Sequence, residues 1–191
     1  MPPPHLIMIN SVYTEPANNI TFIYKPTKND EIRDALDTCF RKTRVKTDFI
    51  IYLRSHGARS SSLIGFDTID SSSKLFIIDA EELSAPIIKA RSDGHVVLGV
   101  IQMCYGGNNT LLTESFDMVI GPVGCWVAVS PIHSEKIVVD FINNVTVKGK
   151  SISKTFTSQL YPDYCKLGNK LADAWGDSSN NESVWKLYEN K

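Results

Sequence analysis

Apolar positions in this chain gather in short continuous runs separated by amphipathic stretches. Phe49 to Leu53 (Phe-Ile-Ile-Tyr-Leu) and Val96 to Met103 are almost wholly apolar and rich in β-branched or aromatic residues. Runs of that kind suit strands covered on both faces, as in a parallel sheet. His5 to Tyr13 holds a shorter run for a first strand, and Ile20 to Tyr24 a second, ended by Pro26. Ile32, Ala35, Leu36, Cys39 and Phe40 then recur at helical spacing behind a cap at Asn29 or Asp30. After Gly57, the runs Leu63 to Ile69 and Leu75 to Ile78 flank a polar Asp70-Ser-Ser-Ser-Lys74 and predict a hairpin. Asp79 caps a second helix to about Arg91, with Glu81 and Glu82 in its first turn and Pro86 bending it. Met118 to Val129 reads as two apolar pieces around a Gly-Pro turn, ending at Ser130-Pro131. Glu135 to Val147 and Ser151 to Leu160 supply a third and a fourth helix. Strands alternating with helices predict an α/β fold, its sheet mostly parallel and its helices on both faces.

Length and composition narrow the picture without supplying a chemistry. A chain of 191 residues suits one domain, and 42% apolar with 21% charged residues is ordinary for a packed one. We place that domain at residues 1–165, with 166–191 a C-terminal tail whose Trp175, Trp185 and Tyr188 can rest on it. Twenty basic against twenty-one acidic side chains leave a net charge of −1. That balance gives no electrostatic reason for nucleic acid or an anionic membrane as a partner. The longest apolar stretches are far below the roughly 18 residues of a membrane span, and the N-terminus carries no signal-peptide pattern. The expectation is a cytoplasmic protein. Its four cysteines, Cys39, Cys104, Cys125 and Cys165, form neither a CxxC pair nor a disulfide framework, so no structural zinc site is expected, and the thiol chemistry read below needs neither metal nor organic cofactor.

The two strongest strand runs end in residues able to do chemistry. The first continues into Arg54-Ser-His56-Gly57, and the second into Gln102-Met-Cys104-Tyr-Gly106-Gly107. Ligands of open α/β sheets gather beyond the carboxyl ends of the strands. If these strands are parallel neighbours, His56 and Cys104, 48 residues apart in sequence, emerge at one edge. A thiol near pKa 8.5 is only slightly ionised at neutral pH, and an adjacent imidazole raises its thiolate share and shuttles the proton. The backbone N–H groups of Gly57 and Cys104 are candidate donors to an oxyanion, and Gly57, Gly106 and Gly107 permit unusual dihedrals and close approach. Ser130, at a later strand end, is a candidate for lining the same cleft. Cys39 falls on an apolar helix face, Cys125 inside an apolar run and Cys165 after a Tyr-Pro-Asp-Tyr turn, so all three read as structural. His95 precedes its strand and belongs at the opposite edge, and His133 reads as a surface loop residue.

Ser55-His56-Gly57 and Gln102-Met103-Cys104-Tyr105-Gly106 resemble the Ser-His-Gly and Gln-Ala-Cys-x-Gly motifs of the caspase-like cysteine peptidases, whose histidine lies about 50 residues upstream of the cysteine. The order hairpin, helix, cysteine strand after His-Gly is also the family's. Gly121 to Pro131 is similar to the closing part of caspase-like and CHAT-type domains, so the resemblance spans roughly residues 5–160. It implies a caspase-like three-layer sandwich and a cysteine endopeptidase with His56 and Cys104 as its dyad. Gln102 matches a position that helps line the pocket for an acidic substrate side chain. Met103 and Tyr105 depart from the family pattern, and the arginines completing that pocket have no counterpart we can place. Only 24 residues run from Cys104 to Ala128, so no long cleavable linker is expected between them. The partners implied are a protein or peptide substrate and, as for CHAT-type peptidases of bacterial defence complexes, a regulatory or recruiting protein. The alternative is an inactive interaction module of the same fold, a pseudo-peptidase within a larger complex.

Overall fold

The computed structural model describes residues 4–12, 19–42, 46–58, 61–67, 75–124, 131–148, 151–174 and 185–190. In chain order these form β1 (His5–Ile9), β2 (Ile20–Ile23), α1 (Asn29–Lys42), β3 (Asp48–Arg54), β4 (His56–Gly57), β5 (Leu63–Asp67), β6 (Leu75–Asp79) and α2 (Ala80–Ser92). They continue as β7 (Val96–Gln102), α3 (Thr110–Ser115), β8 (Met118–Pro122), α4 (Pro131–Lys148), α5 (Ile152–Thr155), α6 (Tyr161–Ala174) and β9 (Trp185–Glu189).

One six-stranded sheet has the order β2-β1-β3-β7-β8-β9, parallel throughout except for β9, which runs antiparallel to β8. Alternate side chains along each strand enter separate cores, because successive Cβ atoms point to opposite faces. Phe49, Ile51 and Leu53 of β3 pack with Ile32, Leu36 and Phe40 of α1 and with Leu83, Ile87 and Ala90 of α2. Ile50 and Tyr52 pack on the other face with Val138, Phe141 and Ile142 of α4 and with Leu160 and Tyr164. Helices therefore cover both faces, which explains why the β3 and β7 runs show no polar alternation. The second sheet is small and antiparallel, in the order β4-β5-β6. It is the hairpin read from the sequence, with His56 and Gly57 added as a third strand.

Two expectations change. Gly121 and Pro122 are no turn; they close β8, where Gly121 pairs with Lys186 and Pro122 with Trp185. Pro122 is tolerated because β7 pairs β8 only over Met118 to Ile120, so no ladder partner awaits its missing N–H on that side. The second apolar piece of that run, with Cys125 and Ser130, lies outside the described residues. The fourth helix does not stop at Leu160: it passes through a π-helical turn (Phe156–Leu160) into α6, and Tyr-Pro-Asp-Tyr is helical. Pro162 sits in the first turn of α6, where a missing N–H costs least, and the wider turn lies directly before it. The 165/166 boundary falls inside α6, and the segment beyond it supplies β9, with Trp185 fully buried against Tyr164.

Candidate active site

Parallel pairing of β3 with β7 sets Arg54 opposite Gln102, so both strands end level. Each chain then turns. Ser55 N–H donates to the Gln102 carbonyl (3.2 Å), and Ser55 Oγ lies 3.3 Å from Met103 Sδ. His56 and Gly57 leave the main sheet to pair with Gly65 and Ile64 of β5. Beyond β7, Cys104 and Tyr105 form a tight turn that continues into a 3₁₀ turn at Gly106–Asn108. The result is backbone contact between the two motifs: a Cβ on Gly57 would collide with the Cys104 carbonyl oxygen and press on Met103.

The strained residue of this turn is Tyr105 rather than a glycine. Its φ is +57°, in the left-handed region, and its N–H donates to the Gly124 carbonyl (2.8 Å). Gly57, Gly106 and Gly107 are not among the residues of positive φ, so the dihedral role expected of them is corrected to close packing. A Cβ on Gly106 would stand 2.6 Å from Ile101, and one on Gly107 2.8 Å from the Gly121 carbonyl oxygen. The cysteine turn is thus seated on β8.

The His56 imidazole lies on the solvent face of the small sheet, with Nε2 2.9 Å from Asp67 Oδ1. Antiparallel pairing explains the contact. His56 faces Gly65, and Asp67 is two residues further along on the same face. A carboxylate accepts only, so the contact sets Nε2 as the N–H-bearing nitrogen and leaves Nδ1 as the basic one. Both side chains are more than half exposed, so the pair orients the ring more than it stabilises the fold. Asp67 was missed from sequence. Its signal was the first strand of the hairpin, β5, whose register against His-Gly the sequence does not give.

Gln102 is buried, and its side-chain oxygen accepts from Tyr52 Oη and Ser134 Oγ. Tyr52 and Ser134 are themselves 2.9 Å apart, and Tyr164 Oη donates to the Ser134 carbonyl (2.8 Å). This network ties the end of β7 to the first turn of α4 and places Gln102 beneath the edge. Nearby, buried Glu135 accepts from Ser11 Oγ (2.8 Å) and Val12 N–H (3.1 Å), anchoring the chain after β1. His133 is an exposed residue of α4 rather than of a loop. His95 stands at the amino edge as expected, accepting from Thr47 N–H (3.2 Å).

Cys104 and Cys165 are half-buried thiols, and so is Cys39 on α1, where burial pushes the thiol above its ordinary pKa. Among the described residues no three His, Cys, Asp or Glu side chains converge as a metal site, and no helix is long and apolar enough to cross a membrane. No protein-family model matches the chain, and no curated protein does either.

Proposed function

We propose that this protein is a caspase-like cysteine endopeptidase. The observation that carries the reading is the Gly57–Cys104 contact, which joins two motifs separated by 48 residues at the carboxyl edge of one parallel sheet. The small sheet after His-Gly, the following α2 and the cysteine strand β7 support it further, since that is the family's order of elements.

In this reading His56 Nδ1 takes the Cys104 proton, and Sγ adds to the carbonyl carbon of the scissile peptide bond. The backbone N–H groups of Gly57 and Cys104 donate to the oxyanion, each worth about 3 kcal/mol of barrier. The C–N bond breaks as His56 returns the proton to the leaving amine, leaving a thioester on Cys104. Water, deprotonated by the same imidazole, releases the acid and restores the thiol. Asp67 holds the imidazole in the required tautomer, as a positioning residue. Gln102 and Ser130 are the proposed substrate-binding residues on the acyl side. The partners are a polypeptide substrate and a recruiting protein, in the cytoplasm, with no cofactor in the scheme.

A peptidyl chloromethyl ketone tests the reading: one adduct at Cys104, lost in Cys104→Ala, is the expected result. Labelling of Cys39 or Cys165 instead overturns it. The second reading, an inactive interaction module, is favoured by the exposed apolar face of the small sheet at Leu63, Leu75 and Ile77. A binding module keeps its full cellular effect in Cys104→Ala, whereas a peptidase loses it.

A further inference from the structure

The outer face of the small sheet carries a hollow of about 220 Å³ beside the candidate dyad. Its lining includes His56, Leu63, Gly65, Leu75 and Ile77. His56, Gly65 and Ile77 stand in one row across the three strands, since His56 pairs with Gly65 and Gly65 with Ile77. The glycine at the centre of that row makes the space. A Cβ there would stand 3.0 Å from Leu75 and 3.5 Å from the Cβ of His56, so any larger side chain fills the hollow. Three of the eight large apolar side chains exposed among the described residues meet at this one place: Leu63 (49% exposed), Leu75 (42%) and Ile77 (52%). Among the described residues no Asp, Glu, Lys or Arg lines it; His56 does, with its Nε2 held by Asp67.

We propose that this hollow is the subsite for the residue on the leaving-group side of the scissile bond, and that it selects an apolar side chain there. The inference rests on the peptidase reading and adds to it a substrate class. The general acid must reach the leaving nitrogen, so it stands on the leaving side of the bond that Cys104 attacks. His56 lines the hollow and Cys104 does not, which puts the hollow beyond the acid, next to the first residue of the released fragment. Its volume lies below the roughly 300–1,000 Å³ of pockets for whole small molecules and suits a single side chain. Its chemistry matches Leu, Ile, Val, Met or Phe, because the described side chains that line it, His56 and Ser61 apart, offer only apolar surface.

Every cut leaves the residue in question as a new N-terminus, so the preference is read directly. An unfolded cell proteome is treated with the wild-type protein or with Cys104→Ala, and new N-termini are tagged and identified by mass spectrometry. Wild-type-specific N-termini beginning with a large apolar residue should exceed those beginning with Gly, relative to background, on the order of tenfold. Gly65→Val, which fills the hollow, moves the preference to Gly, Ala and Ser. Ile77→Lys, at an exposed position that bears little on folding, moves it toward Asp and Glu. Preferences are ratios within one sample, so a change in overall rate drops out of the comparison. Wild-type-specific N-termini without apolar enrichment, or the same profile in both variants, overturn the subsite alone. No wild-type-specific N-termini at all, with Cys104 unlabelled by the chloromethyl ketone, overturns the peptidase reading and the subsite with it.

Discussion

Gly57 is the residue through which the two halves of the candidate site meet, and it has no room for a side chain. Gly57→Ala is expected to force apart His-Gly and the Cys104 turn, at a cost of about 1–3 kcal/mol. Denaturant midpoints read that loss, and an unchanged midpoint contradicts the contact. Asp67 is the residue the sequence hid. It stands eleven positions from His56, at the exposed end of a strand whose centre is buried, so nothing in its type or spacing marks it; only the register of β5 against β4 does. Asp67→Asn should lower kcat/KM about tenfold through kcat, with KM kept and Asp67→Glu restoring most of the rate. The effect is small against the roughly 100- to 10,000-fold that general acid–base catalysis supplies, because water screens an exposed pair. A change confined to KM would show that Asp67 does not act through the imidazole.

At the scale of elements, β3 and β7 were legible because burial on both faces removes polar residues from a strand altogether. The end of β3 was legible too, since Arg54 breaks the apolar run where the sheet stops, whereas the run read to Met103 passes the end of β7 at Gln102 by one residue. Less could be read where tertiary contacts override local signals. Gly-Pro looks like a turn until β9 pairs along β8, and Tyr-Pro-Asp-Tyr looks like a loop until the π-helical turn admits Pro162 into α6. The amino edge offers a test of these strand ends by pH. Burial, and then the neighbouring Asp117, hold the Asp48 carboxyl above its ordinary value. A raised carboxyl pKa means the folded state binds the proton more readily than the unfolded one. Asp48 therefore opposes folding at neutral pH, and that penalty fades as the pH falls through the raised value toward the unfolded one. Asp48→Asn is expected to raise Tm at pH 7, with the gain shrinking toward pH 4; a gain independent of pH would contradict the assignment.

The whole molecule depends on a strand that composition alone made look like a tail. Trp185 is fully buried in the α4–α6 core, and β9 closes the sheet over β8, on which the cysteine turn rests through Gly107 and Gly121. Trp185→Ala should cost about 3–5 kcal/mol by chemical denaturation. A loss below 1 kcal/mol would show that β9 is not part of the cooperative unit. Such a strand is hidden in sequence because its Asp-, Ser- and Asn-rich approach outweighs five residues in any window of composition. The central claim is that the fold makes His56 act on Cys104. The most direct measurement is the rate of Cys104 alkylation by iodoacetamide from pH 5 to 9, in wild type and in His56→Ala. A working dyad gives a rate at pH 6–7 well above that of an ordinary thiol, falling at least tenfold in His56→Ala, while Cys39, its thiol raised by burial, stays slow. The same rate profile with and without His56 would contradict the account.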